Sequence, residues 1–283
     1  MPLRSNPTGR HLRFGTELRK LRERAGLTST AAAQLLGIKQ AQVSNMETGR
    51  LGVSADRVRR LACHYDCQDS ELIEALANMT GDRKRGWWEE YREILPSSLL
   101  DLAEVEHHAQ RLRTGITVHI PGLLQITDHA REIFRLDVPA LPPPEIEHRI
   151  SFRVKRQAVL FRDPPTPYQA IIHEAALRMQ FGGPKVARAQ LQHILEMSEH
   201  PHITVQVISF ATGTFPGAGQ SIYYSHGPVP QLDTVHLDQF HGPAFVDAEA
   251  QLGKYRVLLD RMETSALKPD ESRDFIHQIA RDL

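Results

Sequence analysis

The sequence predicts a mainly α-helical chain in two parts, a five-helix N-terminal domain followed by an α+β domain. Three observations carry this. The stretch 27–50, LTSTAAAQLLGIKQAQVSNMETGR, holds two short runs of helical apolar spacing separated by a glycine. Residues 1–66 contain twelve Lys and Arg against five Asp and Glu, a formal +7; the whole chain balances 34 against 34, so the remainder carries −7. Further along, strand-like runs such as TVQVIS (204–209) interleave with amphipathic helical ones.

The N-terminal elements follow in order. A helix is expected from about Gly9 to Ala25, with Leu12, Leu18, Leu21 and Phe14 inward. Thr28 is a good N-cap for a helix over Ser29–Leu36, and Gly37 suits the left-handed residue that ends it. Ile38 can plug the angle before a second short helix, Gln40 to about Thr48, with Val43 and Met46 inward and Gly49 at its end. Two two-turn helices joined by a glycine-containing turn have the helix-turn-helix layout. Ser54 caps a helix carrying Val58, Leu61 and Ala62, and Ser70–Met79 is a fifth.

Segment 81–113 is expected as a linker and long helical stretch, interrupted by Pro96, between a domain over 9–80 and one over 114–283. The second domain reads as a strand at Ile116–Ile120, a helix at Leu123–Leu136 and another at Glu145–Phe161 behind Pro142–Pro144. Then come a strand at Tyr168–His173, a helix at Lys185–Met197 and strands at 204–209, 221–225 and 234–238. Helices at 247–262 and 270–280 close the chain, and 212–220 is a candidate mobile loop. Strands mixed with helices suggest a sheet covered on at least one face.

Gln and Asn amides can bond adenine edges, and an Ala methyl can meet a thymine methyl. Gln40, Ala41, Gln42, Ser44 and Asn45 are therefore candidate base-reading residues, with Ser29, Lys39 and Arg50 as phosphate contacts. Arg149, Arg153 and Arg156 lie on one predicted basic helix, a candidate surface for an anion or an acidic partner.

The pattern LT, AA, LGI, VS and E-x-G within 27–49 resembles the XRE-type, lambda-repressor-like regulators. The resemblance implies that Glu47 and Gly49 close the recognition helix and that Arg50 contacts the DNA backbone. Lys39 departs from the usual Ser or Thr cap. The runs GWWEEYREILP (86–96), VHIPGLLQITDHAR (118–131), RVKRQAVLFRDPPTP (153–167) and LQHILEMSEHPHITVQVISF (191–210) resemble the C-terminal effector domain of many actinobacterial XRE-type regulators. That family is described as antitoxin-like and often stands beside a small acidic protein. The resemblance implies a transcriptional regulator of operator DNA, controlled through its effector domain by a ligand or small acidic protein. The alternative is an antitoxin-like protein that mainly sequesters a partner. A homodimer on a palindromic operator is expected from the motif, since one short helix reads few base pairs.

Other chemistry is not supported. His173-Glu174 begins an H-E-x-x-H pattern, but position 177 is Leu. Cys63 and Cys67 make a lone C-x3-C, a poor zinc site, and are expected as buried apolar thiols. His107 and His108 face different sides of a helix, and His200, His202, His226, His236 and His241 are scattered. No metal, cofactor or enzymatic activity is expected. No apolar run reaches the ~20 residues that span a bilayer. The first residues lack an apolar signal core, so a cytoplasmic location is expected.

Overall fold

A computed structural model describes residues 4, 6–80, 86–217, 219–239 and 244–283. The chain forms two compact units, Met1–Glu90 with Ser97–Val105, and Tyr91–Pro96 with Glu106–Leu283.

The first unit carries α1 (Gly9–Arg24), α2 (Ser29–Leu36), α3 (Gln40–Glu47), α4 (Ala55–His64) and α5 (Ser70–Met79). Side-chain caps start four of them: Thr8, Thr28, Ser54 and Asp69 accept from the amides of His11, Ala31, Arg57 and Leu72. Leu18, Leu21, Ala32, Val43, Met46, Val58, Leu61 and Leu76 are buried among the helices, whereas Leu12, expected inward, is exposed because Phe14, Leu18 and Leu21 take the inner face of α1. The start of α6 (Ser97–His108) also belongs to this unit. Its Asp101 Oδ1 accepts from Gly9 N at 2.7 Å and its Glu104 Oε2 from Arg10 N at 3.4 Å. Two carboxylates thus meet the unpaired amides and positive end of α1. Burial pushes the Glu104 carboxyl above its ordinary pKa.

The second unit is built on a mixed sheet of order β3-β2-β1-β4-β5-β6, with β1 (Arg111–Ile116), β2 (Tyr168–His173), β3 (Ile203–Ile208), β4 (Ile222–His226), β5 (Thr234–Leu237) and β6 (Ala244–Val246). The first three strands are parallel and β4 to β6 antiparallel. Parallel neighbours need crossovers. These are supplied by α7 (Thr127–Phe134) and α8 (Pro143–Gln157), then by α9 (Glu174–Arg178) and α10 (Gly183–Met197). Last come α11 (Glu249–Ser265) and α12 (Pro269–Asp282). The pleat sends alternate residues to opposite faces. Ala170 and Ile172 join a core with Leu191, Ile194, Ile276 and Ile279, whereas Ile171 joins one with Leu252, Leu259 and Met262. Helices therefore cover both faces of the sheet, in keeping with the expected cover on at least one.

Several elements differ from the sequence reading. The long helical stretch over 87–113 is a 3-10 turn at Trp87–Tyr91, then α6, then β1. The strand expected at 116–120 ends where it was to begin, because β1 occupies Arg111–Ile116. Its sequence, RLRTGI, hides a central strand. Arg113 is buried, yet its guanidinium donates to Gln169 Oε1 at 2.7 Å, Asp260 Oδ1 at 2.7 Å and Glu263 Oε2 at 2.9 Å. A Cβ at Gly115 would come within 2.6 Å of Met262 Sδ, so any larger residue would force that side chain of α11 to shift. Cys63 is exposed and Cys67 half-buried, not a buried pair, because Val58, Leu61, Ala62 and Tyr65 take the inner face of α4 and the turn after it.

His129 on α7 is 1% exposed, and both its ring nitrogens are buried without a hydrogen-bond partner. Burial pulls its pKa from 6.5 to about 4. Between those values the unfolded chain binds a proton that the folded chain does not, so stability falls as pH drops through that window. The full effect is about 3 kcal/mol. Urea unfolding of the chain should lose at least roughly that much between about pH 7 and pH 4, and His129→Leu should reduce the slope, leaving the part due to His119 and His193, whose pKa values burial also lowers. An unchanged slope in the variant would rule out this source.

Candidate nucleic-acid interface

The turn between α2 and α3 is set by Gly37, left-handed at φ 63°, whose amide closes α2 on the Ala33 and Gln34 carbonyls. Lys39 then occupies the cap position of α3 but offers no side-chain acceptor. Gln42 compensates from within the helix, its Oε1 accepting from Lys39 N at 3.1 Å. Gln40 Nε2 donates to Ser29 Oγ at 3.2 Å, tying the first turn of α3 to the first turn of α2.

Val43 and Met46 are each 1% exposed and define the inner side of α3. At 100° per residue, Ala41, Ser44, Asn45 and Thr48 lie opposite them, with Gln40 and Gln42 on the flanks. Lys39, Gln40, Ala41, Gln42 and Arg50 are exposed, and Ser29, Ser44 and Asn45 are half-buried. The outward surface is thus polar and uncharged, bounded by a cation beyond each end of α3. Lys39, Arg50 and also Arg57 and Arg60 carry no ion pair among the described residues. Arg19, Lys20, Arg22 and Arg59 are paired within the unit.

A buried ion pair fixes α3. Arg22 of α1 donates from Nε to Glu47 Oε1 at 2.6 Å and from Nη2 to Oε2 at 2.9 Å, and its Nη1 reaches the Leu27 carbonyl at 2.6 Å. One guanidinium thereby joins α1, the loop before α2 and the end of α3. The helices also approach at backbone distance. A Cβ at Gly15 would lie 2.4 Å from the Glu47 carbonyl oxygen, and one at Gly49 2.5 Å from that of His11. Gly49 is left-handed at φ 68°, which favours glycine a second time. Arg4 donates to the Gly49 carbonyl at 3.0 Å and bonds Arg50 through the backbone. Sequence reasoning did not single out Arg22. The available signal was a basic residue four positions after Leu18 on the apolar side of α1.

The arginines of α8 do not form an open charged face. Arg149 pairs with Asp137 at 3.1 Å and Glu145 at 2.9 Å. Arg156 is buried, with Nε and Nη2 on Glu106 at 2.8 and 2.6 Å. Arg153 donates to Gln125 and stacks over Phe134. His173 caps α9 by accepting from Ala175 N, and Glu174 is held by Arg178 and the Phe210 amide. His241 lies outside the described residues, and no group of three His, Cys, Asp or Glu that could hold a metal occurs among them. No helix among them is long and apolar enough to cross a membrane.

A family model described as a helix-turn-helix domain matches residues 13–76, and one described as a domain of unknown function, DUF5753, matches residues 99–278. Neither the curated proteins nor the solved structures yield a match.

Removing one partner of the buried pair leaves an uncompensated charge. Arg22→Met is expected to destabilise the first unit by about 3–5 kcal/mol in urea unfolding followed by circular dichroism. Adding Glu47→Leu should recover much of that loss. A single variant as stable as the parent would show that the pair is not needed to hold α3.

Proposed function

The chain belongs to the DUF5753 family and carries a helix-turn-helix domain ahead of the family domain, and on that premise we propose a sequence-specific transcriptional regulator whose second unit receives the controlling signal. One observation carries the DNA reading: α3 turns an uncharged polar surface outward, with an unpaired cation at each end. Gln40, Ala41, Gln42, Ser44 and Asn45 would read base edges, while Ser29, Lys39 and Arg50 would hold phosphates. Gln40, steadied by Ser29, would enter the groove with its side chain pre-positioned. An eight-residue helix reads only a few base pairs, so two copies on a palindromic operator fit this reading.

The control reading rests on charge. Outside residues 1–66 the chain carries −7, which disfavours phosphate contact and leaves that part for another role. Of the two inputs, a small molecule fits better than a small acidic protein. An acidic partner, whether it regulates or is sequestered, would need an open basic face. Arg149 and Arg156 are spent on Asp137, Glu145 and Glu106.

Gln40→Ala should cost about 1–3 kcal/mol on the selected operator and relax one base position, whereas Arg50→Ala should weaken operator and random DNA alike. Genome-wide binding followed by fluorescence anisotropy on both DNAs measures this. An unchanged operator-to-random ratio in Gln40→Ala would overturn the assignment of that residue.

A further inference from the structure

The second unit holds an inward-facing guanidinium that no carboxylate among the described residues hydrogen-bonds. Arg153 on α8 donates to the Gln125 amide oxygen and places its guanidinium carbon 4.4 Å from the centre of the Phe134 ring. Its Nε is buried without a hydrogen-bond partner, and no carboxylate among the described residues forms an ion pair with it, though Asp238 and Glu106 lie near enough to act on its charge. Its neighbour Arg156, by contrast, is neutralised by Glu106 through two hydrogen bonds. A desolvated charge without a partner is unfavourable, and a bound anion removes that cost. The Arg153 side chain as a whole is half-buried, so part of it faces outward.

A second unpartnered group lies on α7, the helix whose Phe134 ring Arg153 covers. Neither buried ring nitrogen of His129 is hydrogen-bonded, and the Arg153 charge adds to the burial that lowers its pKa. It is neutral near pH 7 and offers one N–H donor. Phe181 packs edge-on against it, ring centres 5.5 Å apart. Topology supplies an independent pointer. The crossovers from β1 lead to β2 and β3 on one side, while β4 lies on its other side. In open α/β sheets ligands bind beyond the carboxyl ends of the parallel strands, where the strand order changes side. Gln125, the partner of Arg153, belongs to the segment that leaves β1 at that end.

We propose that Arg153 and His129 head a ligand site that takes a small organic carboxylate, the guanidinium holding the anion and the Phe134 and Phe181 rings flanking its apolar body. A carboxylate has two acceptor oxygens, enough to serve the guanidinium and the imidazole N–H together. The site deepens, and rests on, the reading that the second unit senses a small molecule.

Thermal melts of the full chain test it with sodium phenylacetate, phenylacetamide as the uncharged counterpart, sodium phosphate as an anion without an apolar body, and sodium chloride at equal ionic strength. Phenylacetate should raise Tm saturably, by about 5–10 °C at roughly a hundred times its Kd. Phenylacetamide and chloride should not, and phosphate should do so less. Arg153→Met should abolish the phenylacetate shift while melting no lower than the parent, because it removes a buried unpaired charge. Should that variant fail to fold, Arg153→Lys keeps the charge but loses the planar fork, and should show a smaller shift. No saturable shift, an equal shift in both variants, or a shift with phosphate and none with phenylacetate would overturn the site. DNA affinity with and without phenylacetate separates the two claims. A Tm shift with unchanged operator affinity leaves the site standing and defeats the control reading.

Discussion

Arg22 and Glu47 are joined by two short hydrogen bonds between the first and third helices, and the outward surface of α3 depends on where that pair holds it. An eight-residue helix is too short to be stable alone in water. The buried side of α3 consists of only Val43 and Met46, so apolar packing anchors it weakly along its length. The ion pair fixes the C-terminal end, and the third guanidinium donor fixes the loop that leads into α2. Gly15 and Gly49 let the two backbones meet at a distance no side chain permits. A buried pair of this kind contributes little net stability over an apolar substitute. What it contributes here is position, because its fork geometry tolerates little displacement. A surface that recognises base edges needs its helix held to within a fraction of an ångström.

The second unit uses polar burial in the same way. Arg113, Gln169 and Gln206 form a chain of hydrogen bonds across β1, β2 and β3, ending on the Leu267 carbonyl. A one-residue slip of any strand would turn its member to the other face and strand the remaining polar groups. The chain therefore fixes the register of the three parallel strands, which apolar side chains alone specify less sharply. Beyond the carboxyl ends, Glu174 accepts from the Phe210 amide at 2.7 Å, tying the residue after β2 to the segment after β3. The rigid central sheet then presents its carboxyl-end segments in a defined arrangement, with Gln125 and Arg153 among them.

Much of this was legible because some residue types have one local use. Thr28, Ser54 and the asparagine-like role of Asp69 announce helix starts, and Gly37 and Gly49 take the left-handed conformations that their positions suggested. The polar outer surface of α3 followed from periodicity alone. What stayed hidden depended on partners distant in sequence. β1 reads as polar because nothing nearby in the chain shows that Asp260 and Glu263 satisfy Arg113. The α8 arginines read as a stripe because Asp137 and Glu106 come from other elements. Arg22 reads as one more surface cation until Glu47 is placed beside it. In each case the fold uses an arginine internally, through partners its neighbours in sequence do not reveal. The long apolar stem of arginine fits a buried stripe as well as an exposed one.

That redistribution of arginines also constrains how DNA could be held. The formal +7 of residues 1–66 already nets out their five carboxylates, and the fold decides which cations those carboxylates take, among them Arg19, Lys20, Arg22 and Arg59. Lys39, Arg50, Arg57 and Arg60 remain unpaired among the described residues. Each phosphate neutralised contributes roughly 0.9 to the slope of affinity against salt on a logarithmic scale. Four contacts from these cations alone would give each copy a slope of roughly 3.6. A base-reading face this narrow points to two copies acting on one site, which doubles both terms without changing either helix.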